Sequence, residues 1–321
     1  MARNNPMGSM RCSLIICSYA RADTLRRCLA AVARQTRPAD EVLVVRREGD
    51  EATAGAVCDW NRDLPLRAPV VREPGVVAAS NLGLAEAQGD ILAFLDDDTE
   101  PWGDWLERIE RHFLDQPELG ALGGRDWLYA DGVLREGPAK SVGRVQWHGR
   151  RVGNHHLGVG PAREVEILKG ANMAYRRAAI EGLRFDRRLK GGDAEWCFEP
   201  AFGFAVRRRG WKIVYDPAVA VDHHHPAPRV ALDYSLSTAR TYNRVFNETL
   251  VLLEYLPAHR RAVFVVWGFL VGTWDAPGLA QWVRYLLGGR PEATRRLLMA
   301  WRGRLDALRN YHAGAAEPGS A

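Results

Sequence analysis

ILAFLDDDTEP, residues 91–101, joins a strand-like run to an acidic cluster. Its apolar residues predict a buried strand over 91–95, and Asp96, Asp97 and Asp98 follow that strand directly. Carboxylates at positions i and i+2 beyond a strand can both turn towards one hard cation, and Mg²⁺ or Mn²⁺ held in this way keeps open positions for phosphate oxygens. A solvated turn, or a cap on the next helix provided by Asp98, is an alternative that the three acids alone leave open.

Strand-like and helix-like segments alternate before this cluster. Apolar runs predict strands over 13–17 and 41–45, and apolar residues at helical spacing predict helices over 24–35 and 78–87. This alternation predicts an α/β protein with βαβ units and a mainly parallel sheet, which binds ligands at the carboxyl ends of its strands. The acidic cluster lies at that edge of the predicted sheet.

The chain after residue 101 is less regular. We predict a helix over 102–114, a loop-rich stretch that carries a few strands over 123–165, a helix over 201–209 and a strand over 212–215 that Asp216 and Pro217 close. From residue 232 to about 311 the pattern is helical, and a tail rich in Gly, Ala, Pro and Ser follows.

Composition limits the class of protein. The 321 residues are 47% apolar and 26% charged, which is typical of a globular chain, and the net charge of +5 is mild. Five cysteines without a CxxC pair predict free thiols in a reducing cytoplasm, and no signal-peptide pattern precedes the first strand. The apolar stretch over 262–274 is shorter than the ~20 residues of a membrane-spanning helix. No basic and aromatic motif predicts binding to nucleic acid.

Five stretches carry a resemblance to a known family. They are LIICSYAR (14–21), EVLVV (41–45), the region 73–106 around the acidic cluster, KGANMAYRR (169–177) and RRRGWKIVYDPAVAVDHH (207–224). In this order and at this spacing they resemble glycosyltransferase family 2, the inverting enzymes with the GT-A fold. The resemblance implies a GT-A catalytic domain over 1–228, with a nucleotide-sugar half at about 11–122 and an acceptor-side half at about 123–228. A C-terminal helical region over 229–312 and a disordered tail over 313–321 complete the expected organisation.

The resemblance also implies a donor site for a nucleotide diphospho-sugar. Asp96 and Asp98 would form the DXD motif, with Asp98 on a Mn²⁺ or Mg²⁺ ion and Asp96 and Asp97 nearer the donor ribose. The residues implied to bind the nucleotide sugar are Ser18, Tyr19, Arg21, Asn81, Asp96, Asp97, Gly170 and Ala171. Two positions depart from the family pattern: Arg46 replaces an Asp that helps to hold the nucleoside, and Ser80 replaces an Arg. The nucleobase therefore stays open.

An inverting transfer needs a carboxylate that takes the proton from the acceptor hydroxyl as this hydroxyl attacks the anomeric carbon. The resemblance places this acid at a helix start, eleven residues before a glycine that precedes a strand, and counting back from Gly210 gives Glu199. Pro200 suits a first helical turn, whose N-terminus would stabilise a carboxylate. Asp193 is the second choice because its alignment needs six extra residues, and a solvated loop is the alternative for both acids.

The run of histidines at 223–225 offers a further metal ligand. An imidazole follows the corresponding strand in some relatives, and His223 matches that place best, six residues after Pro217. Three adjacent histidines on an extended backbone cannot all face one ion, so we expect one ligand at most. An exposed turn is the alternative.

The C-terminal helices combine apolar faces with arginines. Residues 247–256 and 262–274 are strongly apolar, and eight arginines between 260 and 304 are interleaved with Trp, Leu and Tyr. A peripheral contact with the inner face of the membrane, a homodimer, or packing on the catalytic domain would each use such faces, and these alternatives stay open.

The sequence therefore predicts a cytoplasmic, metal-dependent, inverting glycosyltransferase that moves a sugar from a nucleotide diphospho-sugar to a hydroxyl acceptor. The acceptor is a glycan, a lipid-linked sugar or a glycosylated metabolite. A nucleotide-sugar pyrophosphorylase is disfavoured because CSYARADTLRR lacks the Gly-rich loop of that class. The alternative from another class is an inactive carbohydrate- or nucleotide-binding scaffold, which Arg46 and Ser80 favour.

Overall fold

The structure is a computed structural model that describes residues 8–192, 195–225 and 238–316. Its strands, β1 to β13, are Cys12–Ser18, Glu41–Arg47, Leu66–Arg67, Val70–Val71, Ile91–Asp96, Thr99–Pro101, Leu119–Ala130, Val133–Leu134, Arg144–Val145, Arg151–Val152, Arg163–Glu164, Asn172–Arg176 and Lys212–His225. Its helices, α1 to α10, are Ala22–Ala33, Glu51–Trp60, Val76–Glu86, Trp105–Asp115, Arg177–Ile180, Phe198–Arg208, Thr238–Tyr255, Ala258–Leu270, Leu279–Leu287 and Ala293–Ala316.

Eleven strands in the described part of the chain form one mixed sheet. Its main path runs β11-β13-β7-β12-β5-β1-β2-β3, with β4 beside β2, β6 beside β13 and β8 beside β7. β1 is parallel to β2 and β5, as the βαβ pattern predicted, whereas β12 is antiparallel to β5 and β7. The α/β class with flanking helices is confirmed, and β1 and β5 end at the same edge of the sheet.

Apolar runs fill the centre of this sheet because both of its faces are covered. Leu14, Ile15 and Ile16 of β1 are at most 1% exposed, which explains why a buried parallel strand reads as a continuous apolar run. On one face α1 and α4 contribute to the main hydrophobic cluster. On the other face α3 lies close to β1, since a Cβ on Gly83 would come within 2.5 Å of Ile15 Cγ2. Burial of each large apolar side chain stabilises the fold by about 2 kcal/mol.

Strand β7 shows that the stretch predicted from residue 123 as loop-rich with a few strands begins within a long strand. It runs over twelve residues, Leu119–Ala130, and lies between β12 and β13. Its glycines obscured the strand pattern, but they are needed for close packing. A Cβ on Gly124 would lie 1.6 Å from the carbonyl oxygen of Val219, and one on Gly120 would lie 2.5 Å from Trp211 Cβ.

Strand β13 corrects the prediction of a strand over 212–215, because it continues past Asp216 and Pro217 to His225. Its register against β7 shifts between Asp216, which pairs with Gly124, and Ala220, which pairs with Arg125. Residues 217–219 therefore form a bulge, and such a bulge tolerates a proline that lacks a ladder N–H. Helix α2, Glu51–Trp60, is a further element that the sequence pattern missed.

The described residues fall into two compact units. The first comprises those within Met1–Arg144, Gly153–Phe185 and Phe202–Ala227, and the second those within Val145–Val152, Asp186–Ala201 and Pro228–Ala321. The domain boundary near residue 228 stays a prediction.

The second unit contains helices α7 to α10, which confirms the C-terminal helical extension. Phe246 and Leu250 of α7 pack with Ala307 of α10, and Gly303 allows close approach because its Cβ would lie 2.8 Å from the Tyr242 carbonyl oxygen. Residues 271–278 separate α8 from α9, and α10 continues to Ala316. No helix in the described ranges is both long enough and apolar enough to cross a membrane.

Candidate functional site

The acidic cluster lies in a tight turn at the carboxyl end of β5. Asp96 ends β5 and pairs with Cys17 of β1, and Asp97 and Asp98 form the turn before β6. The turn is fixed from both sides: Thr99 Oγ1 donates to the Asp96 carbonyl at 2.7 Å, and the backbone N–H of His224 donates to the Asp98 carbonyl at 2.9 Å. The sheet thus holds three acids at the edge where the sequence predicted a ligand.

The end of β1 supplies the polar partners of two of these acids. Ser18 Oγ donates to Asp97 Oδ2 at 2.7 Å. The guanidinium of Arg21 lies 3.1 Å from both Asp97 Oδ1 and Asp98 Oδ2. Burial raises the pKa of Asp97 to about 6, although Arg21 and Ser18 oppose the shift. The structure therefore brings Ser18, Arg21, Asp97 and Asp98 together, and their binding of a nucleotide sugar and a metal stays a prediction.

The loop between β1 and α1 has a strained backbone held by an acid that sequence reasoning missed. Ala20 has a φ of 55°, in the left-handed region that alanine rarely adopts, and its N–H donates to Asp50 Oδ2 at 2.7 Å. Asp50 also caps α2 through the N–H of Thr53. Tyr19 is 56% exposed, with the guanidinium of Arg47 5.2 Å from its ring centroid, so its ring is accessible to a ligand.

Arg46 flanks the same loop. It is the residue of β2 that pairs with Ser18 at the end of β1, so its position is at the carboxyl edge beside the predicted nucleotide pocket. Ser80, the second departure from the family pattern, is 2% exposed and lies 3.7 Å from Cys17 Sγ. Its side chain is therefore part of the packing between α3 and β1.

His223 lies between two buried carboxylates. Its Nε2 is 3.3 Å from Asp98 Oδ1, and its Nδ1 is 3.3 Å from Asp126 Oδ2 on β7. Lys169, in the turn before β12, contacts the same oxygen of Asp126. Asp126 and Lys169 were not singled out from the sequence, where they lie far from the acidic cluster. Only the KGANMAYRR motif, which begins at Lys169, pointed to this region.

The charges of this group shift its pKa values strongly. Burial would lower the pKa of His223, but the carboxylates of Asp126 and Asp98 outweigh it and raise that pKa to about 9. Burial opposes ionisation of Asp126, yet His223 and Lys169 lower its pKa to about 2. The pKa of Asp98 is likewise lowered against its burial, by His223 and Arg21. At neutral pH the group is an imidazolium between two carboxylates.

A divalent cation fits these residues. Asp96, Asp98 and His223 each offer one ligand atom, and these atoms lie within 4.8 Å of one another. Oδ1 of Asp98 is buried, and its nearest charged neighbour is His223 Nε2 at 3.3 Å, in a contact too poorly aligned to satisfy the oxygen, so an ion could take the place of the His223 proton. The contact of Asp126 with Nδ1 is the kind that orients an imidazole so that Nε2 can face a metal. Binding would displace the proton of His223.

Asn81, Gly170 and Ala171 are the remaining residues that the sequence predicted to bind the nucleotide sugar. The amide of Asn81 makes two hydrogen bonds with the backbone of Phe185, at 2.9 and 2.8 Å, so its side chain fixes that segment. Gly170 and Ala171 are buried in the turn before β12, and Ala171 is 1% exposed. Their roles towards a sugar stay predictions.

Glu199 is the second residue of α6, half-buried and followed by Pro200. The helix ends before Gly210, whose φ of 85° starts the turn into β13. This is the placement at a helix start that the family pattern predicted. Asp193 lies outside the described residues, and the choice between the two acids stays a prediction.

A mixed α/β sheet that ends in buried carboxylates, with an imidazole beside them, defines a protein that can bind a divalent cation and a phosphate-bearing ligand at its strand ends. The chain belongs to the family "Glycosyl transferase family 2", whose model matches residues 13–184. It is therefore a glycosyltransferase by family, as its motifs predicted.

Relatives of known name support this assignment. The succinoglycan biosynthesis protein ExoM of Rhizobium meliloti is 32% identical over 232 residues, which cover 70% of this chain and 69% of ExoM. The glucosyl-dolichyl phosphate glucuronosyltransferase of Haloferax volcanii is 24% identical over 232 residues, covering 67% and 69%. The match to the glycosyltransferase AglE of the same organism, 36% identical, spans 100 residues, 30% of this chain and 33% of AglE.

Solved structures confirm the GT-A fold. The mannosyltransferase PcManGT from Pyrobaculum calidifontis, in complex with GDP-Man and Mn²⁺, aligns with a TM-score of 0.62 at 20% identity over 94% of this chain and 88% of that chain. Residues 1–349 of S. aureus TarS, in complex with UDP-GlcNAc, align with a TM-score of 0.56 at 17% identity over 96% and 92%.

Proposed function

We propose that this chain transfers a sugar, with inversion, from a nucleotide diphospho-sugar to a hydroxyl acceptor in a reaction that requires a divalent cation. The observation that carries the proposal is the convergence of Asp96, Asp98 and His223 at the carboxyl edge of the sheet, with ligand atoms within 4.8 Å of one another. The donor is a nucleotide sugar because the GT-A neighbours PcManGT and TarS bind GDP-Man and UDP-GlcNAc.

Asp96, Asp98 and His223 would hold the cation. Two carboxylates and an imidazole favour Mn²⁺, whereas Mg²⁺, the alternative, prefers a purely oxygen set. When bound, the ion neutralises charge that builds on the leaving diphosphate. Arg21 carries a positive charge at the same edge and is 43% exposed, so it can contact the diphosphate once the donor enters.

The loop over residues 18–21 would bind the nucleoside. Tyr19 offers an exposed ring for stacking on the base, and the carboxylates of Asp96 and Asp97 accept hydrogen bonds from ribose hydroxyls. The hydrogen bond from Ser18 fixes Asp97 in place. Gly170 and Ala171 lie in the segment proposed to support the donor sugar, and Asn81 would act through the segment that it holds.

Glu199 is the proposed base, with Asp193 as the second candidate. The acceptor oxygen forms a bond to the anomeric carbon as the bond from that carbon to the diphosphate oxygen breaks, and the hydroxyl proton passes to the carboxylate. The first turn of α6 stabilises Glu199 as a carboxylate, because a helix N-terminus favours negative charge. Attack from the face opposite the diphosphate inverts the anomeric configuration.

The acceptor class is a glycan, a lipid-linked sugar or a glycosylated metabolite. A lipid-linked acceptor is supported by the name of the glucosyl-dolichyl phosphate glucuronosyltransferase, and a polysaccharide by that of ExoM. We place the protein in the cytoplasm, at the inner face of the membrane. The C-terminal helices are the proposed contact, either with lipid or with a second copy of the chain.

Calorimetric titration of UDP, GDP and dTDP, each with and without Mn²⁺, tests the donor site. We expect one nucleotide to bind in a Mn²⁺-dependent manner and to lose most of its affinity in Asp98→Asn, because this substitution removes a ligand charge at nearly constant volume. The matched control is Asp59→Asn, at a surface acid whose partner is Arg26. Equal loss in the control, or binding without Mn²⁺ dependence, would contradict the cation site.

Turnover separates the enzyme from the inactive scaffold. A protein that binds its nucleotide with Mn²⁺ but neither hydrolyses nor transfers the matching nucleotide sugar would be the scaffold, which Arg46 and the buried Ser80 favour. Product stereochemistry, read by NMR from the anomeric coupling, tests inversion. Loss of turnover with retained donor binding in Glu199→Gln, compared with Asp193→Asn, identifies the base.

A further inference from the structure

Helix α9 exposes its apolar face instead of burying it. Leu279, Val283, Leu286 and Leu287 are 37%, 45%, 49% and 84% exposed, whereas its buried residues are Gln281 and Tyr285. The four exposed positions follow the spacing i, i+4, i+7 and i+8, which places them on one side of the helix. A helix of a globular protein normally turns such a stripe inwards, so this face is suited to a partner outside the chain.

Trp274 and Arg290 extend the apolar face. The Trp274 ring is 46% exposed and meets Tyr285 of α9 edge-on, with centroids 5.0 Å apart. The guanidinium of Arg290 lies 4.6 Å from the Trp274 ring, and the backbone N–H of Arg290 donates to the Tyr285 carbonyl at 2.9 Å. An amphipathic tryptophan beside an arginine suits the boundary between acyl chains and lipid headgroups.

Helix α10 continues the pattern next to α9. Arg295, Leu298, Arg302, Leu305 and Arg309 recur at helical spacing. The side chains of the three arginines are 66%, 69% and 77% exposed, and Leu298 and Leu305 are 53% and 46% exposed. Between residues 256 and 313 the sequence has nine arginines and three acidic residues. Exposed leucines thus alternate with arginines that are paired with Glu292 or Asp306, and the excess of positive charge in this stretch comes from the other arginines.

We propose that these two helices dock on an anionic membrane surface through a basic–apolar surface. We define this surface by Trp274, Leu279, Val283, Leu286, Leu287 and Arg290, together with the exposed stripe of α10, the helix that packs against α9. Arginines are attracted to anionic headgroups, and the apolar side chains enter the interface between them. A symmetric contact with a second copy would bring like charges together, so charge complementarity favours lipid. Retention at a membrane would concentrate the enzyme where a lipid-linked acceptor is found.

The surface overlaps one of the two apolar segments first suspected from the sequence and excludes the other. Residues 247–256 are apolar because they form the core of the helical unit: Leu250, Leu252 and Leu256 are all fully buried. Residues 262–274 keep accessible apolar side chains, since Val266, Leu270 and Trp274 are 56%, 52% and 46% exposed, and further ones belong to α9 and α10.

Sedimentation of the full-length protein with vesicles tests this proposal. Phosphatidylcholine vesicles are compared with vesicles that contain about 30% phosphatidylglycerol, at low and high salt. We expect binding to the anionic vesicles, weakened by salt, and a loss of at least about 10-fold in affinity for Leu286→Gln/Leu287→Gln. The matched control is Leu114→Gln/Val133→Gln, which changes two side chains that are 45% and 61% exposed in the first unit.

Three outcomes would overturn the proposal: no binding to either vesicle, binding unchanged in Leu286→Gln/Leu287→Gln, or an equal loss in the control variant. Light scattering during size-exclusion chromatography tests the rival occupant. A dimer that the α9 variant abolishes, without vesicle binding, would assign the surface to a second copy. Because the titration with nucleotide and Mn²⁺ is done without lipid, its result is independent of this experiment.

Discussion

Asn172 connects three secondary-structure elements through its side-chain amide, and its substitution by alanine should lower the free energy of unfolding. The residue is 3% exposed, and its Oδ1 accepts a hydrogen bond from Trp105 Nε1 of α4 at 2.9 Å. Its Nδ2 donates to the carbonyl of Val219 at 2.8 Å and lies 3.4 Å from that of Arg125. One amide thus connects α4, the bulge of β13 and strand β7.

The loss of stability expected for Asn172→Ala comes from the two buried groups that lose their hydrogen-bond partner. Trp105 and Val219 are at most 1% exposed, so water cannot replace the lost partner of either group without rearrangement. An unsatisfied buried donor or acceptor costs about 1–3 kcal/mol, and the two together should lower the free energy of unfolding by about 4 kcal/mol. The weaker contact with Arg125 adds little at its length.

Urea unfolding followed by tryptophan fluorescence and circular dichroism measures this loss. Asn310→Ala is the matched control, because its exposed amide donates to the Asp306 carbonyl and its removal should cost under about 0.5 kcal/mol. Trp105→Phe should cost less in the Asn172→Ala background than in the wild type, since the hydrogen bond is then already lost. A loss below about 1 kcal/mol for Asn172→Ala, or additive effects in the cycle, would refute the reasoning.

Three further predictions concern the site and the helical unit. In the metal-free protein the imidazole NMR signals of His223 should titrate near pH 9. The charge of His223 therefore stabilises the fold fully below about pH 6.5, and this contribution is lost as the pH rises through 9. In Asp126→Asn the titration of His223 should move down towards pH 6.5. Arg46→Ala should weaken binding of GDP about 10-fold in calorimetry and change that of UDP less, because a guanidinium donates well to the O6 and N7 acceptors of guanine; an equal effect on both would exclude a base contact. Glu248→Gln should lower the free energy of unfolding by about 3 kcal/mol, because it removes the carboxylate that pairs with Arg151. The side chains of Arg151 and Glu248 are only 17% and 16% exposed. A melting temperature unchanged from that of the wild type would contradict this prediction.

The sequence predicted the parts of the fold whose apolar residues are continuous. Strands β1, β2 and β5 are buried on both faces, and their runs were read correctly with the acidic cluster at the end of β5. Strand β7 was missed because Gly120, Gly123 and Gly124 serve contacts with β13 and its neighbours that a local pattern does not contain. Propensity argues against glycine in a strand, and tertiary packing decided otherwise.

The site shows the same division. Asp96, Asp98 and His223 come from motifs that the family resemblance identified, and the structure brings their ligand atoms together. Asp126 is brought to His223 by the pairing of β7 with β13, which joins positions nearly a hundred residues apart, and Lys169 is brought to Asp126 by the pairing of β12 with β7. Helical spacing likewise predicted the C-terminal helices but not that the apolar side of α9 would be exposed. The spacing of apolar residues shows that they share one side of a helix, but it does not show whether that side is buried or exposed.

The bulge over residues 217–219 limits how this part of the chain can change in length during evolution. With it, Val221 pairs with Asp126, so Val221, His223 and His225 share the face of the sheet that carries Asp126. A one-residue deletion that kept the bulge at three residues would draw Ala220 into it and place His224 where His223 now lies, and an imidazole would be kept. The same deletion would put Asp222 in the place of Val221, which is fully buried. The run of three histidines would still supply an imidazole after such a deletion, but the apolar core beside it would have to bury a carboxylate. We therefore expect selection against insertions and deletions in this bulge to act through the loss of folding stability rather than through the loss of a metal ligand.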